Sequence, residues 1–308
     1  MSFRSRFCSL ASAGRRRLQL GRRAVIALPM LWLSLFFLLP FALVLKISLS
    51  EARISVPPYA PLADYVDGTL RILIDFGNYL FLLGDSLYAA AYWGSVKIAL
   101  TATLVCLLLG YPMAYAMARM RPRWQLVLML LVMLPSWTSF LIRIYAWMGI
   151  LSNSGLANQL LLGLGIIDAP LRLLNTQFAV VVGIVYAYLP FMVLPLYAHL
   201  LRLDPTLLEA AADLGSRRVN TFLKVTLPLS AGGIMAGCML VFIPAVGEFV
   251  IPELLGGPDT LMIGKVLWEE FFLNRDWPVA AALATVMLAL LLIPLALFHR
   301  YQSRELET

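Results

Sequence analysis

Glu248 is the residue whose type and setting point most directly to chemistry. It stands in an otherwise apolar run, 242–252, and a carboxylate at membrane depth costs on the order of 2.5–3.5 kcal/mol. Such a group faces a pathway or a partner rather than lipid. Pro244, Gly247 and Pro252 surround it, which favours irregular backbone lining a cavity. Two readings stand. Glu248 lines a pathway, or it forms a structural ion pair with Arg143 or Lys97, each in the matching half of its own apolar stretch. The two roles are compatible. Glu253 lies nearer the edge of the run, where water reaches it. Elsewhere, reactive groups are sparse. No Ser/His/Asp, Cys/His or paired-carboxylate arrangement points to catalysis, so the chain reads as a non-enzyme. His199 and His299 stand alone, and Cys8, Cys106 and Cys238 are scattered, with no disulfide framework or metal cluster. The glycines around Gly257 and Gly264-Lys265 lack phosphate-loop spacing, with Val266 where Ser or Thr is needed.

The elements that must position Glu248 are membrane helices. Of 308 residues, 61% are hydrophobic and 13% charged, against roughly 25% charged in ordinary globular domains. Six stretches, 25–49, 88–118, 124–149, 177–200, 228–251 and 278–298, supply the ~20 apolar residues that a crossing helix needs. The fold class is therefore all-α, a membrane protein of six transmembrane helices. The first stretch is too long for a signal-peptide core and reads as an uncleaved anchor. Trp32, Trp93, Trp124, Trp147 and Tyr301 sit near predicted ends, as interfacial aromatics do. A basic N-terminal segment (1–23) precedes a six-helix domain (24–299), and a short tail (300–308) follows.

Charge sets the orientation. Segments 1–23, 119–123, 199–226 and the tail carry sixteen Lys and Arg, and the alternate connections carry five. The excess marks the cytoplasmic side and places both termini there. The net charge of +7 is thus a topology signal, and nucleic-acid binding is the weaker reading of it. The opposite connections are acidic, with Glu51, Asp64, Asp67, Asp75 and Asp85 in one and Asp259, Glu269, Glu270 and Asp276 in another. Solvated loops commonly look like this, and such a surface also steers cations.

The longest cytoplasmic connection, 202–227, has its own architecture. Asp204-Pro205 reads as an N-cap followed by proline at the first helical position. Good helix formers run to Leu214, and Gly215 supplies the stop. A second short helix, 218–225, precedes Leu227-Pro228. The pair forms a compact knob whose apolar groups, Phe222 among them, suit a groove on another protein.

Glu209-Ala210-Ala211, three residues, Gly215, nine residues, Val225, one residue and Leu227-Pro228 together resemble the EAA loop of binding-protein-dependent ABC importers. Val225 stands where isoleucine is common. The resemblance covers nearly the whole chain: 134–150 (LPSWTSFLIRIYAWMGI), 183–195 (GIVYAYLPFMVLP) and 242–258 (FIPAVGEFVIPELLGGP) are similar to polyamine permeases. Within that family the likeness is strongest to the first inner-membrane permease subunit of putrescine importers. It implies a type I importer permease in the bacterial inner membrane, with loop 202–227 as the coupling helix that docks on an ATPase subunit. Glu209, Ala210, Ala211, Gly215, Phe222, Leu227 and Pro228 would carry that docking. The implied partners are a second related permease chain, two ATPase subunits that bind ATP and magnesium, a soluble polyamine-binding protein outside, and the bilayer. This chain itself would hold no cofactor.

A polyamine site needs carboxylates and aromatic faces. The expected pathway residues are Glu248, Glu253, Trp137, Tyr145, Tyr186 and Tyr188, although each aromatic also fits packing or interfacial anchoring. Arg143 suits a structural or gating role better than contact with a cation. Spermidine or another organic cation is the alternative substrate. A secondary cation transporter would also explain six spans and Glu248, but it would not need loop 202–227.

Overall fold

The computed structural model describes residues 25–66 and 69–305. Segment 1–23, Cys8, Asp67 and the last three residues of the tail lie outside them. Four helices are long and apolar enough to cross a membrane alone, namely α1 (Val25–Ser48), α3 (Ser86–Arg119), α7 (Gln177–Leu201) and α13 (Trp277–Phe298, continuing to Glu305). Two bent helix pairs raise the number of spans to six.

The described residues divide into two compact units. One comprises the described part of Met1–Asn78 with Trp277–Thr285. It contains α1 and a small antiparallel hairpin, β1 (Ala63–Val66) and β2 (Thr69–Ile72), which the apolar pattern did not announce. The Asn78 amide donates to the carbonyls of Ser48 (3.0 Å) and Ser50 (2.9 Å), tying the end of the connection back to the end of α1.

The other unit comprises Tyr79–Asp276 and Val286 onward. The boundary between the units in sequence, after Asn78, falls within the short helix α2 (Gly77–Gly84). In the second unit α3, α7 and α10 (Ala231–Val246) pack on one another around Ala102, Cys106, Ile184, Met192, Leu196 and Val241, all fully buried. Small residues permit the close approach. A Cβ on Gly233 would lie 2.7 Å from His199 Cβ, and one on Gly237 would lie 2.7 Å from Met192 Sδ. The pair therefore presses α10 against α7, and His199 is part of that packing.

Two expected spans are not continuous helices. Residues 124–149 fold as α4 (Pro122–Met133), a 3₁₀ turn (Leu134–Trp137) and α5 (Phe140–Leu151), followed by α6 (Leu156–Gly163), with an 88° bend. Pro135 has no N–H to continue the ladder, and Thr138 and Ser139 are extended. The hydroxyls of Ser136 and Thr138 donate to the carbonyls of Met133 (2.6 Å) and Pro135 (2.8 Å). Local side chains thus satisfy carbonyls around the break, as a bilayer would require.

After the short helix α8 (Thr206–Asp213), the fifth span is the bent pair of α9 (Arg218–Leu229) and α10, which meet at 64° around Ser230. Helix α10 ends at Val246 rather than at 251, so Glu248 lies beyond it. Helices α11 (Val250–Leu255) and α12 (Ile263–Phe272) follow.

Candidate functional site

Glu248 occupies the break between α10 and α11 and is only 8% exposed. Its Oε1 accepts from the backbone N–H groups of Val250 (3.1 Å) and Ile251 (3.5 Å), which the first turn of α11 would otherwise leave without partners. Its Oε2 accepts a 2.6 Å hydrogen bond from the Tyr188 hydroxyl, sixty residues earlier on α7. Glu248 therefore tethers the irregular segment to the three-helix core. The alternative ion pair is corrected, since none joins Glu248 to Arg143 or Lys97 among the described residues. Arg143 instead lies over the Phe140 ring, 5.7 Å from its centroid, with its Nε buried and unbonded.

The backbone of this segment is pressed from one side by α12. A Cβ on Gly264 would fall 2.5 Å from the Gly247 carbonyl oxygen and 2.6 Å from that of Glu248. Sequence reading noticed Gly264 only as a failed phosphate-loop glycine. Nothing in one sequence indicates which backbone a glycine touches.

Of the other expected pathway residues, Tyr188 alone bonds to Glu248, and the rest lie elsewhere. Tyr188 and Tyr186 are two positions apart, so they point about 200° from each other around α7. Tyr188 lines an apolar groove with Phe191, Ile243 and Pro244. Tyr186 meets Trp147 edge-on (5.5 Å) in a different groove. Trp137 and Tyr145 are exposed on either side of the Thr138 break. Glu253 is not simply solvated but forms an ion pair with Lys265 (3.0 Å). Sequence reading also missed a ring stack, Phe249 on Trp268 at 6.2 Å and Trp268 on Phe272 at 5.1 Å.

The second candidate region is the α8–α9 hairpin. The Asp204 carboxylate accepts from Thr206 N (2.9 Å), and this bond holds its pKa below the ordinary carboxylate value. The cap is thus kept through the usual carboxylate range and is lost only as pH falls below it. At the other end Gly215 has φ +76°, Ser216 N bonds to the Ala211 carbonyl, and Gly215 N bonds to that of Ala212. These two bonds make a Schellman cap. Glu209 and Ala210 are exposed.

Phe222 is not an outward-facing anchor. Its ring packs edge-on against Tyr111 (5.6 Å) and Tyr115 (6.0 Å) of α3. The apolar groups that the hairpin does present are Leu214 (88% exposed), Val219 (67%), Leu223 (52%) and Leu207 (46%). Leu227 and Pro228 stand within the last turn of α9, just before the bend.

Six spans, counting the two bent pairs, and a capped helical hairpin before the second bend define an integral-membrane permease subunit. Residues 106–308 match the family described as binding-protein-dependent transport system inner membrane component, and the chain belongs to that family. It is a multi-pass inner-membrane protein and a non-catalytic transporter component. It is 40% identical over 291 residues to the spermidine/putrescine transport system permease protein PotB of Haemophilus influenzae, covering 93% of this chain and 96% of that one. With the Escherichia coli protein of the same name it shares 42% identity over 241 residues, 77% of this chain and 87% of the relative. Among solved structures, a bacterial alginate ABC transporter complex superposes with a TM-score of 0.66 at 18% identity, covering 96% of this chain and 98% of that one. The MetNI methionine transporter gives 0.55 at 15% identity, covering 72% and 95%. These two likenesses carry the fold, that of a type I ABC importer permease.

Proposed function

We propose that this chain is the membrane-spanning permease subunit of an ATP-driven importer of polyamines, with putrescine the first substrate and spermidine the second. The 40% identity to a spermidine/putrescine permease along almost the entire chain carries this reading. The relatives' names carry both polyamines, so the preference for putrescine rests on the sequence likeness of 134–150, 183–195 and 242–258. The partners are a second related permease chain, two ATPase subunits that hold ATP and magnesium, and a soluble binding protein on the outer face. Both termini and the α8–α9 hairpin lie in the cytoplasm. ATP-driven closure of the ATPase pair moves the hairpin, and the spans reorient by alternating access. Glu248 then lies along the route of the cation.

Uptake of labelled putrescine in cells lacking their own polyamine importers, supplied with this gene and its partner genes, tests the reading. ATP-dependent accumulation, inhibited by putrescine more than by spermidine, supports it. An assembled complex that accumulates neither polyamine refutes it. Uptake that persists without the ATPase genes would instead mark a secondary cation transporter.

Docking has its own test. A Cβ at Gly215 meets nothing within 4 Å, so substitution there strains only the backbone. Gly215→Val is expected to cost on the order of 1–2 kcal/mol at this positive φ. It should loosen the end of α8 and reduce co-purification of the ATPase severalfold. Leu214→Asp should weaken the same interaction without touching the fold, because that side chain is free. Undiminished co-purification in both variants would remove the hairpin from the interface.

A further inference from the structure

A cavity of about 710 Å³ opens between α3, α5 and α7 on the face that carries Tyr186, away from the Tyr188–Glu248 bond. Along α3 it runs from Lys97 past Val105 to Leu109, and along α7 from Gln177 past Val182 to Leu189. Each line spans thirteen residues, twelve helical rises or about 18 Å of helix. That is close to the depth of one leaflet, half of a hydrocarbon core of roughly 30 Å. The polar groups gather at one end, where Lys97 and Gln177 face each other across the mouth, while below them the walls are almost wholly hydrocarbon. The hydroxyl of Thr101 is already committed to the Lys97 carbonyl (2.8 Å). Lys97 is exposed, and no carboxylate pairs with it among the described residues. Trp93, one turn away and 72% exposed, is placed as an interfacial anchor.

We propose that this groove binds one anionic phospholipid, its phosphate on the Lys97 ammonium and an acyl chain lying between α3 and α7. Charge excludes a polyamine from the mouth, because a cation would meet Lys97. Length argues against a transmembrane helix of another chain, which needs a groove along the whole ~30 Å and not half of it. A molecule with a charged head and a tail one leaflet long matches both the polarity and the depth. The lysine stem packs on the groove wall while its ammonium reaches the headgroup layer.

The test uses the full chain, expressed with its transporter partners and placed in nanodiscs of equal phosphatidylglycerol and phosphatidylethanolamine. Native mass spectrometry then reads the lipid retained on release. Wild type should retain phosphatidylglycerol with about fivefold preference, the scale of one lysine at an anionic surface. Lys97→Gln should abolish that preference, and Val182→Trp should fill the groove and lose the lipid altogether. Equal retention of both lipids by wild type and Lys97→Gln would overturn the proposal. So would a Val182→Cys variant that cross-links efficiently to the second permease chain, which would show that protein fills the groove.

Discussion

Gly264→Val should abolish polyamine uptake, whereas Gly163→Ala should leave it intact. The atoms that a side chain at Gly264 would strike are the backbone of Gly247 and Glu248, which cannot swing aside as a rotamer can. Relief requires α12 to withdraw or the 247–249 segment to shift. Overpacking a tight contact costs typically 1–3 kcal/mol, and two carbonyls struck by a branched side chain place this case at the upper end. The displaced segment is also the one that aims the Glu248 carboxylate at Tyr188. Gly163 is the matched control, because a Cβ there meets nothing within 4 Å. Uptake assays with normalised membrane abundance would check both. Normal transport by Gly264→Val would mean that the segment tolerates movement and that its geometry does not matter to transport.

The second large effect concerns charge rather than position. Glu248→Gln keeps an oxygen for the N–H groups of Val250 and Ile251, and its amide can donate to the Tyr188 hydroxyl, which then accepts. The complex should assemble with near-normal thermal stability in detergent. Uptake should fall at least tenfold if the negative charge meets the passing cation. Glu248→Ala differs in kind. It leaves a hydroxyl and two N–H groups without partners, each costing about 1–3 kcal/mol where buried, so both assembly and uptake should drop. Tyr188→Phe separates the roles further by breaking the tether while keeping the carboxylate. Wild-type kinetics in Glu248→Gln, beside a destabilised Glu248→Ala, would make this residue a purely structural cap.

Sequence alone reached the features that depend on local chemistry. Apolar runs announced six spans because the bilayer requires helices about twenty residues long. The Asp204 cap and the Gly215 terminus were legible because a carboxylate before proline and a glycine after helix formers act within one turn. What escaped was tertiary. The Tyr188 partner of Glu248 lies sixty residues away. No periodicity says which face of α7 will meet the end of α10. The 88° bend was foreshadowed by Pro135, yet proline inside a span is tolerated as often as it breaks one. Serine and threonine hydroxyls beside it take up carbonyls at the break. Phe222 looked like a docking anchor because an aromatic in a polar loop invites that reading. Only the fold shows Tyr111 and Tyr115 waiting for it.

That ring contact gives the hairpin a lever. Phe222 sits edge-on to two tyrosines that flank Pro112, the residue where α3 lacks a backbone donor. A load placed on the hairpin would therefore meet α3 at these two rings. Beyond Pro112, Ala114 and Met117 are buried as Ala102 and Cys106 are before it, so α3 would take such a load as one packed helix. Force entering the exposed hairpin would thus meet, at its first ring contacts, a helix already packed against α7 and α10.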